Sequence, residues 1–396
     1  MSKVNNWQIG REMEYPYDEA RPQRQIAYIF DTNKCIECQT CTVACKTTWT
    51  SGKGQEHIFY NNVETKPYGF YPHGWDVNLL DKLGGGEWTD KDDKVVNAAD
   101  HPVGADDWNR KVYKGKTIFE AGKEIGERAL GYAPDEEDYA SPNLGEDVCA
   151  GSLDQGAFFQ NVHNVWMYYL ARICNHCTYP GCLSACPRKA IYKRPEDGIV
   201  LVDQSRCRGY RECVKACPYK KIFYNSVTRV SEKCIGCYPL IEKGEQPQCV
   251  KTCIGKIRLQ GFISKPGEER ADNPIDYLVR IRKIALPLYP QYGTEPNVYY
   301  IPPVHVPIDF TQQMFGPGVQ AAMNTYRSAP TDKNLLSALL MFGNTPRIIH
   351  SFKNDGDYAV GYEADGKEAV RVPHDEPFFK RDLFDKTRKV FRLNVT

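Results

Sequence analysis

Residues 35–45 read CIECQTCTVAC and place Cys35, Cys38, Cys41 and Cys45 within a single short stretch. Three further groups lie between residues 174 and 253. They are Cys174-x2-Cys177-x4-Cys182-x3-Cys186, Cys207-x5-Cys213-x3-Cys217 and Cys234-x2-Cys237-x11-Cys249-x3-Cys253. The four groups hold 15 of the 16 cysteines, and Cys149 is the remaining one. Cysteines three residues apart cannot pair as disulfides without heavy strain, so the groups indicate metal ligation.

The spacing within the first group predicts where its thiolates go. Cys-x2-Cys-x2-Cys-x3-Cys is typical of bacterial ferredoxins, in which three thiolates bind one [4Fe-4S] cubane and the fourth binds a neighbouring cluster. The x3 step corresponds to one helical turn, so its two cysteines reach different centres and the groups work in pairs. Pro187 and Pro218 follow the last cysteines of groups two and three, whereas no proline follows Cys45 or Cys253. This asymmetry pairs group two with three and group one with four. We therefore expect an α+β fold with a duplicated two-cluster bacterial ferredoxin-like core, a long insertion and an irregular C-terminal extension.

Group three lacks one cysteine. Tyr210 stands where the rhythm of the first group would place a thiol. A phenol, with a pKa of about 10, is a poor iron ligand beside thiolates. We interpret this as a [3Fe-4S] cluster held by Cys186, Cys207 and Cys213. The alternative is a cubane whose fourth iron binds water or another ligand.

Zinc is the main alternative for the metal. Group four alone loosely resembles a zinc ribbon, and a zinc-ribbon scaffold protein is the competing class of function. Zinc does not require the four-cysteine run of group one, which favours iron. His176 is expected to hydrogen-bond a cluster sulfur or the backbone rather than ligate a metal. Cys149 is expected to be a buried, inert thiol.

Composition excludes other functions. The chain has 396 residues and a net charge of +1 from 51 Lys+Arg and 50 Asp+Glu, which argues against a polybasic nucleic-acid binder. No apolar run approaches the ~20 residues of a membrane span, and no nucleotide loop or catalytic triad is present. A basic group surrounds group three: Arg206, Arg208, Arg211, Lys215, Lys220 and Lys221. It would raise cluster potentials, form a solvated face or dock a partner.

The cysteine positions predict five segments. They are an N-terminal arm with the first ferredoxin-like segment (1–45), an inserted partner-binding segment (46–165), a second ferredoxin-like unit (166–229), a return segment completing the first unit (230–262) and a C-terminal extension (263–396). Periodicity predicts a helix over Asn161–Ile173 and a short buried strand over Ile199–Asp203. A further helix is expected from Thr331, as N-cap, to Gly343, as C-cap.

Several motifs resemble one family. They are Lys34 to Thr50, Asn61 to Pro67, Cys207-Arg208-Gly209-Tyr210-Arg211, Cys217-Pro218-Tyr219-Lys220-Lys221 and Glu232 to Pro239. These resemble the beta subunits of respiratory nitrate reductase and nitrite oxidoreductase, which belong to molybdopterin oxidoreductase complexes of the dimethyl sulfoxide reductase type. In chain length and general sequence character, the chain more closely resembles the beta subunit of nitrite oxidoreductase of the anammox type. Tyr210 departs from the tryptophan that is typical of nitrate reductases, but neither residue supplies a thiolate.

The resemblance implies a ligand set for each of three [4Fe-4S] clusters and one [3Fe-4S] cluster. The cluster nearest the catalytic subunit would use Cys35, Cys38, Cys41 and Cys253, and the next would use Cys45, Cys234, Cys237 and Cys249. A third would use Cys174, Cys177, Cys182 and Cys217. The three-iron cluster of Cys186, Cys207 and Cys213 would face the haem partner.

The resemblance also implies a role without catalytic residues. The chain would pass single electrons between a molybdopterin catalytic alpha subunit, which oxidises nitrite or reduces nitrate, and a haem-bearing gamma subunit or cytochrome. The alternative is the same wire serving selenate, chlorate, dimethyl sulfide or hydrocarbon chemistry. The N-terminus lacks an apolar signal region, so we expect export with a partner to a periplasm-like compartment, the anammoxosome if the anammox likeness holds. The alternative is the cytoplasmic face of the membrane.

Overall fold

The computed structural model describes residues 1–66, 75–92, 111–132, 166–375 and 384–391. Its strands are β1 Ser2–Asn6, β2 Arg11–Tyr15, β3 Gln25–Asp31, β4 Asn62–Lys66, β5 Trp88–Thr89, β6 Val112–Tyr113, β7 Tyr168–Arg172, β8 Ile191–Lys193, β9 Val200–Val202, β10 Ile222–Asn225, β11 Val230–Lys233, β12 Arg258–Ile263, β13 Leu286–Pro287, β14 Val298–Ile301, β15 Ser351–Asp355, β16 Tyr358–Tyr362, β17 Glu368–Pro373, β18 Phe384–Asp385 and β19 Val390–Phe391. Its α-helices are α1 Thr40–Trp49, α2 Trp75–Lys82, α3 Ile118–Glu124, α4 Gly181–Ala185, α5 Glu212–Ala216, α6 Tyr238–Ile241, α7 Gln248–Lys251, α8 Pro274–Asp276, α9 Ile308–Phe315, α10 Val319–Arg327 and α11 Lys333–Leu339. Shorter helical turns cover Tyr277–Ile281, Pro290–Tyr292 and Ala329–Thr331.

A strand from the N-terminal arm lies inside the main sheet, whose order is β12-β3-β14-β13. β3 is the apolar run QIAYIFD, and all seven of its residues are buried. It pairs antiparallel with β12, with Phe30 opposite Arg258, and parallel with β14, with Tyr28 opposite Val298. Because β3 leads into Cys35 and β12 follows Cys253, this sheet brings the two ends of the cysteine region together.

Four helices carry cysteines into the core in two pairs. α1 packs against α7, and α4 packs against α5. α4 and α5 end at their C-caps, Cys186 and Cys217, each of which precedes a proline. α1 has no such proline and continues past Cys45 to Trp49. This contrast agrees with the disruption that proline causes in a continuing helix. The mixed helices and strands confirm the predicted α+β class.

The prediction of a helix over Asn161–Ile173 is wrong for residues 166–173, which the structure describes. Residues 161–165 lie outside the described part. Tyr168–Arg172 is instead the strand β7, antiparallel to β4 with Arg172 opposite Asn62. The buried salt bridge between Arg172 and Glu64, 3.1 Å long, joins the same two strands. The helical periodicity of this segment gives no information about its partner strand, because β4 lies about a hundred residues earlier in the sequence.

The other local predictions are largely confirmed. The predicted strand within 199–203 is β9, and the predicted C-terminal helix is α11. Its N-cap is Asp332 rather than Thr331, because Asp332 Oδ1 accepts hydrogen bonds from the amides of Asn334 and Leu335. Its C-cap is Leu340 rather than the predicted Gly343, so the helix is shorter than predicted. Residues after 263 are also less irregular than predicted, since β15, β16 and β17 form an antiparallel sheet there.

In the described ranges we find no helix that is both long and apolar enough to cross a membrane.

Candidate iron-sulfur centres

All 15 cysteines of the four groups are free thiols, and 11 of them are buried. Cys149 lies outside the described residues. Burial raises the pKa of Cys213 to about 11 and that of Cys234 to about 12, and nearby thiols add to the effect. Such thiols stay protonated at neutral pH unless a metal displaces the proton. The buried positions therefore suit metal ligation better than free thiolate chemistry.

The thiols gather into four sets, and in each set at least one cysteine has its pKa raised by burial and further by the negative charges of other members. The first set is Cys35, Cys41 and Cys253, with Cys38 lining the same cavity. The second set is Cys45, Cys234, Cys237 and Cys249. The third set is Cys174, Cys177, Cys182 and Cys217. The fourth set is Cys186, Cys207 and Cys213.

The four sets lie in a row. Cys249 of the second set is close enough to Cys41 of the first for their charges to interact. Cys234 of the second set interacts in the same way with Cys174 of the third. Cys213 of the fourth set interacts with Cys217 of the third. Each set therefore adjoins the next, from the first to the fourth.

Two of the sets line distinct cavities. The first set lines a cavity together with Arg258 and Val63. The third set lines a second cavity together with His176 and Tyr219. Within the described part of the chain, no three His, Cys, Asp or Glu side chains converge closely enough to hold one metal ion.

A left-handed residue recurs in the four cysteine loops. It is the second residue after the first cysteine of each group: Glu37, His176, Gly209 and Gly236, with φ of 54°, 41°, 67° and 62°. This conformation tightens the loop and turns amides toward the sulfur atoms. The amide of His176 donates to Cys174 Sγ at 3.5 Å, and that of Gly236 donates to Cys234 Sγ at 3.4 Å. Only two of the four positions are glycine, so the conformation is not evident from residue type alone.

Tyr210 occupies the place of a cysteine in the loop of group three. The loops of groups one and three share a second left-handed residue, Gln39 at φ 57° and Arg211 at φ 64°, which in each case is the N-cap of the following helix. Tyr210 therefore matches Cys38 in backbone position. Its side chain is 61% exposed. The structure gives the fourth set three thiols and a solvent-facing phenol.

Hydrogen-bond donors surround the fourth set. The amide of Ala190 donates to Cys186 Sγ at 3.3 Å, and the amide of Ser231 donates to Cys207 Sγ at 3.4 Å. The thiol of Cys213 donates to Ser231 Oγ at 3.4 Å, and this hydroxyl could donate in turn to a thiolate at Cys213. Donors of this kind stabilise a thiolate. Ser231 belongs to β11, and its spacing from the cysteines in the sequence does not predict that it contacts them.

His176 is fully buried beside the third set. Its Nδ1 accepts a hydrogen bond from the amide of Val200 at 3.1 Å, so the ring proton of a neutral imidazole lies on Nε2. Burial, followed by the charges of Lys233 and Lys193, holds the pKa of the ring well below its ordinary value. Nε2 has no hydrogen-bond partner among the described residues. The expected bond to the backbone is thus present, and Nε2 remains available to a group bound by the third set.

Replacing His176 with leucine should lower the reduction potential of a cluster in the third set by tens of millivolts. A hydrogen bond to a charged group contributes about 1.5–3 kcal/mol, and its loss disfavours the more negative, reduced state. Redox titration followed by EPR measures the shift. His350→Leu is the control, because the ring of His350 pairs with Arg270. Equal potentials in the His176→Leu and wild-type proteins would contradict this role.

The basic group predicted around group three separates into two parts. Arg206, Arg208 and Arg211 are exposed, as a solvated or docking face requires. Lys221 is buried near Cys217 and Cys234, and burial lowers its pKa to about 8. Buried cations act on a cluster more strongly than exposed ones, which water and salt screen. Sequence reasoning missed the most buried of the cations, Arg258, because it lies on β12 outside the basic group.

Residues 165–262 match the family model of the 4Fe-4S dicluster domain. The chain is 46% identical over 323 residues to the selenate reductase beta subunit of Thauera selenatis, which covers 76% of this chain and 90% of that protein. It is 46% identical over 357 residues to the chlorate reductase beta subunit of Ideonella dechloratans, covering 85% and 99%. The chain belongs to the iron-sulfur beta subunits of molybdoenzyme complexes. This beta subunit is also 42% identical over 322 residues to a respiratory nitrate reductase beta subunit of Haloferax mediterranei, covering 76% and 84%.

The membership confirms the predicted family and gives the beta subunit its general role, electron transfer within an oxidoreductase. The relatives named here act in complexes for selenate, chlorate and nitrate, so the family does not distinguish one substrate.

Proposed function

We propose that this beta subunit is an electron wire with four centres, carrying single electrons between a molybdenum catalytic subunit and a haem or other redox partner. The observation that carries the proposal is the row of thiol sets, in which each set adjoins the next. Electrons move between centres only over short distances, so a continuous row of sites is what such a role requires.

Each set would hold one cluster. Three [4Fe-4S] clusters would bind to the first, second and third sets, and a [3Fe-4S] cluster would bind to the fourth. This assignment rests on the composition of the sets, on the cavities that two of them line, and on the exposed phenol of Tyr210 at the position of a fourth ligand.

The chain's own residues have a clear task in this scheme. Bound clusters would supply one-electron oxidation and reduction, with no bond chemistry on a substrate. The thiolates would hold iron, and the buried lining would exclude water. Amide, hydroxyl and imidazole donors such as those of Gly236, Ser231 and His176 would stabilise negative charge at the sulfur atoms.

The two ends of the row reach the surface differently. Beside the exposed Cys38, the side chains of Ile36, Val43 and Ile254 are 63%, 58% and 65% exposed, an apolar rim that suits burial against another subunit. The other end carries exposed Tyr210 and its arginine neighbours. We place the molybdenum catalytic alpha subunit at the first end and the haem-bearing gamma subunit or cytochrome at the other.

Three further features follow from the sequence and complete the proposal. The core would be a duplicated ferredoxin-like unit, consistent with the packing of α1 on α7 and of α4 on α5. Its five segments would be those predicted above, with residues 46–165 as a partner-binding insertion. The complex would work in a periplasm-like compartment. Cell fractionation tests this by showing whether the assembled complex is in that compartment or on the cytoplasmic face of the membrane.

The proposed reaction of the complex is nitrite oxidation or nitrate reduction, supported by the family motifs and by the nitrate reductase relative. A second candidate is selenate or chlorate reduction, favoured by the two relatives at 46% identity. Assaying the purified complex with each of the four anions distinguishes them. Turnover of selenate or chlorate but neither nitrite nor nitrate would overturn the first candidate.

The wire itself has a direct optical test. We expect the purified chain to be brown and its broad visible absorption to fade when dithionite is added, because thiolate-iron chromophores bleach on reduction. A colourless chain that binds zinc would instead support the zinc-ribbon alternative.

A further inference from the structure

One arginine lies fully buried beside the first thiol set. Arg258, at the start of β12, has none of its surface exposed. Its Nη2 donates to Cys41 Sγ at 3.0 Å, and its Nη1 donates to Asn61 Oδ1 at 2.9 Å. The ring of Phe30 stacks 4.4 Å from the guanidinium carbon. Nε has no acceptor among the described residues, although the side chain lines the cavity of the first set.

In the part of the chain that the structure describes, none of the charges that act most strongly on this guanidinium belongs to a carboxylate. A guanidinium cannot lose its proton in a protein, and a buried charge needs a compensating one. The negative charges that act on it most strongly are those of cysteines in two sets: Cys35, Cys41 and Cys253 of the first, and Cys249 of the second. Arg258 also acts on Cys45 of the second set. The natural counter-charge of Arg258 is therefore a pair of anionic clusters.

We propose that Arg258 is a shared cation that sets the reduction potentials of both the first and the second clusters. The inference rests on the proposed function and adds a residue to it. One-electron reduction adds a negative charge to a cluster, and a fixed positive charge in a dry, low-dielectric site favours that state. Arg258 would raise the potentials of both clusters together.

Its setting distinguishes Arg258 from the arginines at the other end of the row. Arg206, Arg208 and Arg211 are exposed, so water and salt weaken their effect. Two hydrogen bonds and the ring of Phe30 hold the guanidinium of Arg258 in place, and solvent does not reach it. One buried charge should therefore outweigh the three exposed ones at the centres it adjoins.

The test is a redox titration, followed by EPR, of the full chain purified with its clusters. In Arg258→Met, the ratio of reduced to oxidised cluster at a fixed potential should fall about tenfold or more for the first and second clusters, which corresponds to about 59 mV for one electron. The third and fourth clusters should keep their potentials. Arg258→Lys retains the charge and should show a smaller fall. Arg280→Met is the matched control, because the side chain of Arg280 is only 7% exposed but pairs with Glu269 and stacks on Trp7.

Two results would overturn this inference but not the proposed function. One is an iron-replete Arg258→Met chain with unchanged potentials, and the other is a chain in which all four potentials fall equally. A wild-type chain without iron-sulfur signals would overturn the proposed function and this inference with it. If Arg258→Met loses iron, a second experiment on the wild-type chain labelled with 15N-arginine tests the inference. Electron-nuclear double resonance should detect an arginine nitrogen coupled to the first cluster, and this coupling should vanish in Arg258→Lys. No arginine coupling in the wild-type chain would overturn the inference.

Discussion

Removing two ligands of the third set should stop electron flow through the complex. In the double variant Cys177→Ala/Cys182→Ala we expect turnover driven from the haem side to fall to background. Turnover driven by a dye that reduces the catalytic subunit directly should persist. The reason is geometric: the third set adjoins the second through Cys174 and the fourth through Cys217. Without its cluster, the row has a gap that a single electron transfer cannot bridge.

The two assays together separate a broken wire from an unfolded subunit. Because both cysteines belong to the third set, the loss of iron should be confined to one cluster, which iron analysis measures. Cys149→Ala is the matched control, since Cys149 belongs to none of the four groups, and it should behave as wild type. Haem-driven turnover at the wild-type rate in a double variant that lacks those irons would contradict the wire.

Replacing Tyr210 with cysteine should convert the three-iron centre into a cubane. The backbone around residue 210 already has the conformation found around Cys38, with left-handed residues at 209 and 211 as at 37 and 39. A sulfur atom at position 210 would therefore take the place that Cys38 Sγ holds in the first set. The three-iron EPR signal of the air-oxidised protein should disappear, and the iron content should rise by about one per chain.

The same substitution should change the reduction potential at that end of the row, because the type of cluster is one of the determinants of the potential. Tyr210→Phe is the control, because it supplies no ligand and should keep the three-iron signal. An unchanged three-iron signal and iron content in Tyr210→Cys would show that Tyr210 does not stand at the missing ligand position.

The sequence was sufficient for the features that short-range geometry determines. The spacing of the cysteines predicted iron-sulfur ligation and the α+β class, and Pro187 and Pro218 mark where the helices α4 and α5 end. The strand over residues 199–203 is signalled by its own apolar run. In each case the relevant contacts lie within a few residues of one another.

Features that depend on distant partners could not be predicted in this way. β7 was mistaken for a helix because its partner, β4, lies far away in the sequence and supplies the backbone hydrogen bonds. Arg258 and Ser231 contact cluster cysteines only because β12 and β11 bring them there. A lone arginine or serine in a strand has no pattern that marks it for this role. The left-handed conformation at Glu37 and His176 is likewise imposed by the loop rather than by the residue type.

The central claim, four clusters in one chain, is tested most directly by measuring iron, acid-labile sulfide and zinc in the purified protein. Four irons at each of three cubanes and three irons at the fourth centre predict about 15 irons per chain, with about 16 sulfides. Zinc should be absent. Several zinc ions per chain with little iron would contradict the account, as would an iron content that accounts for only two clusters.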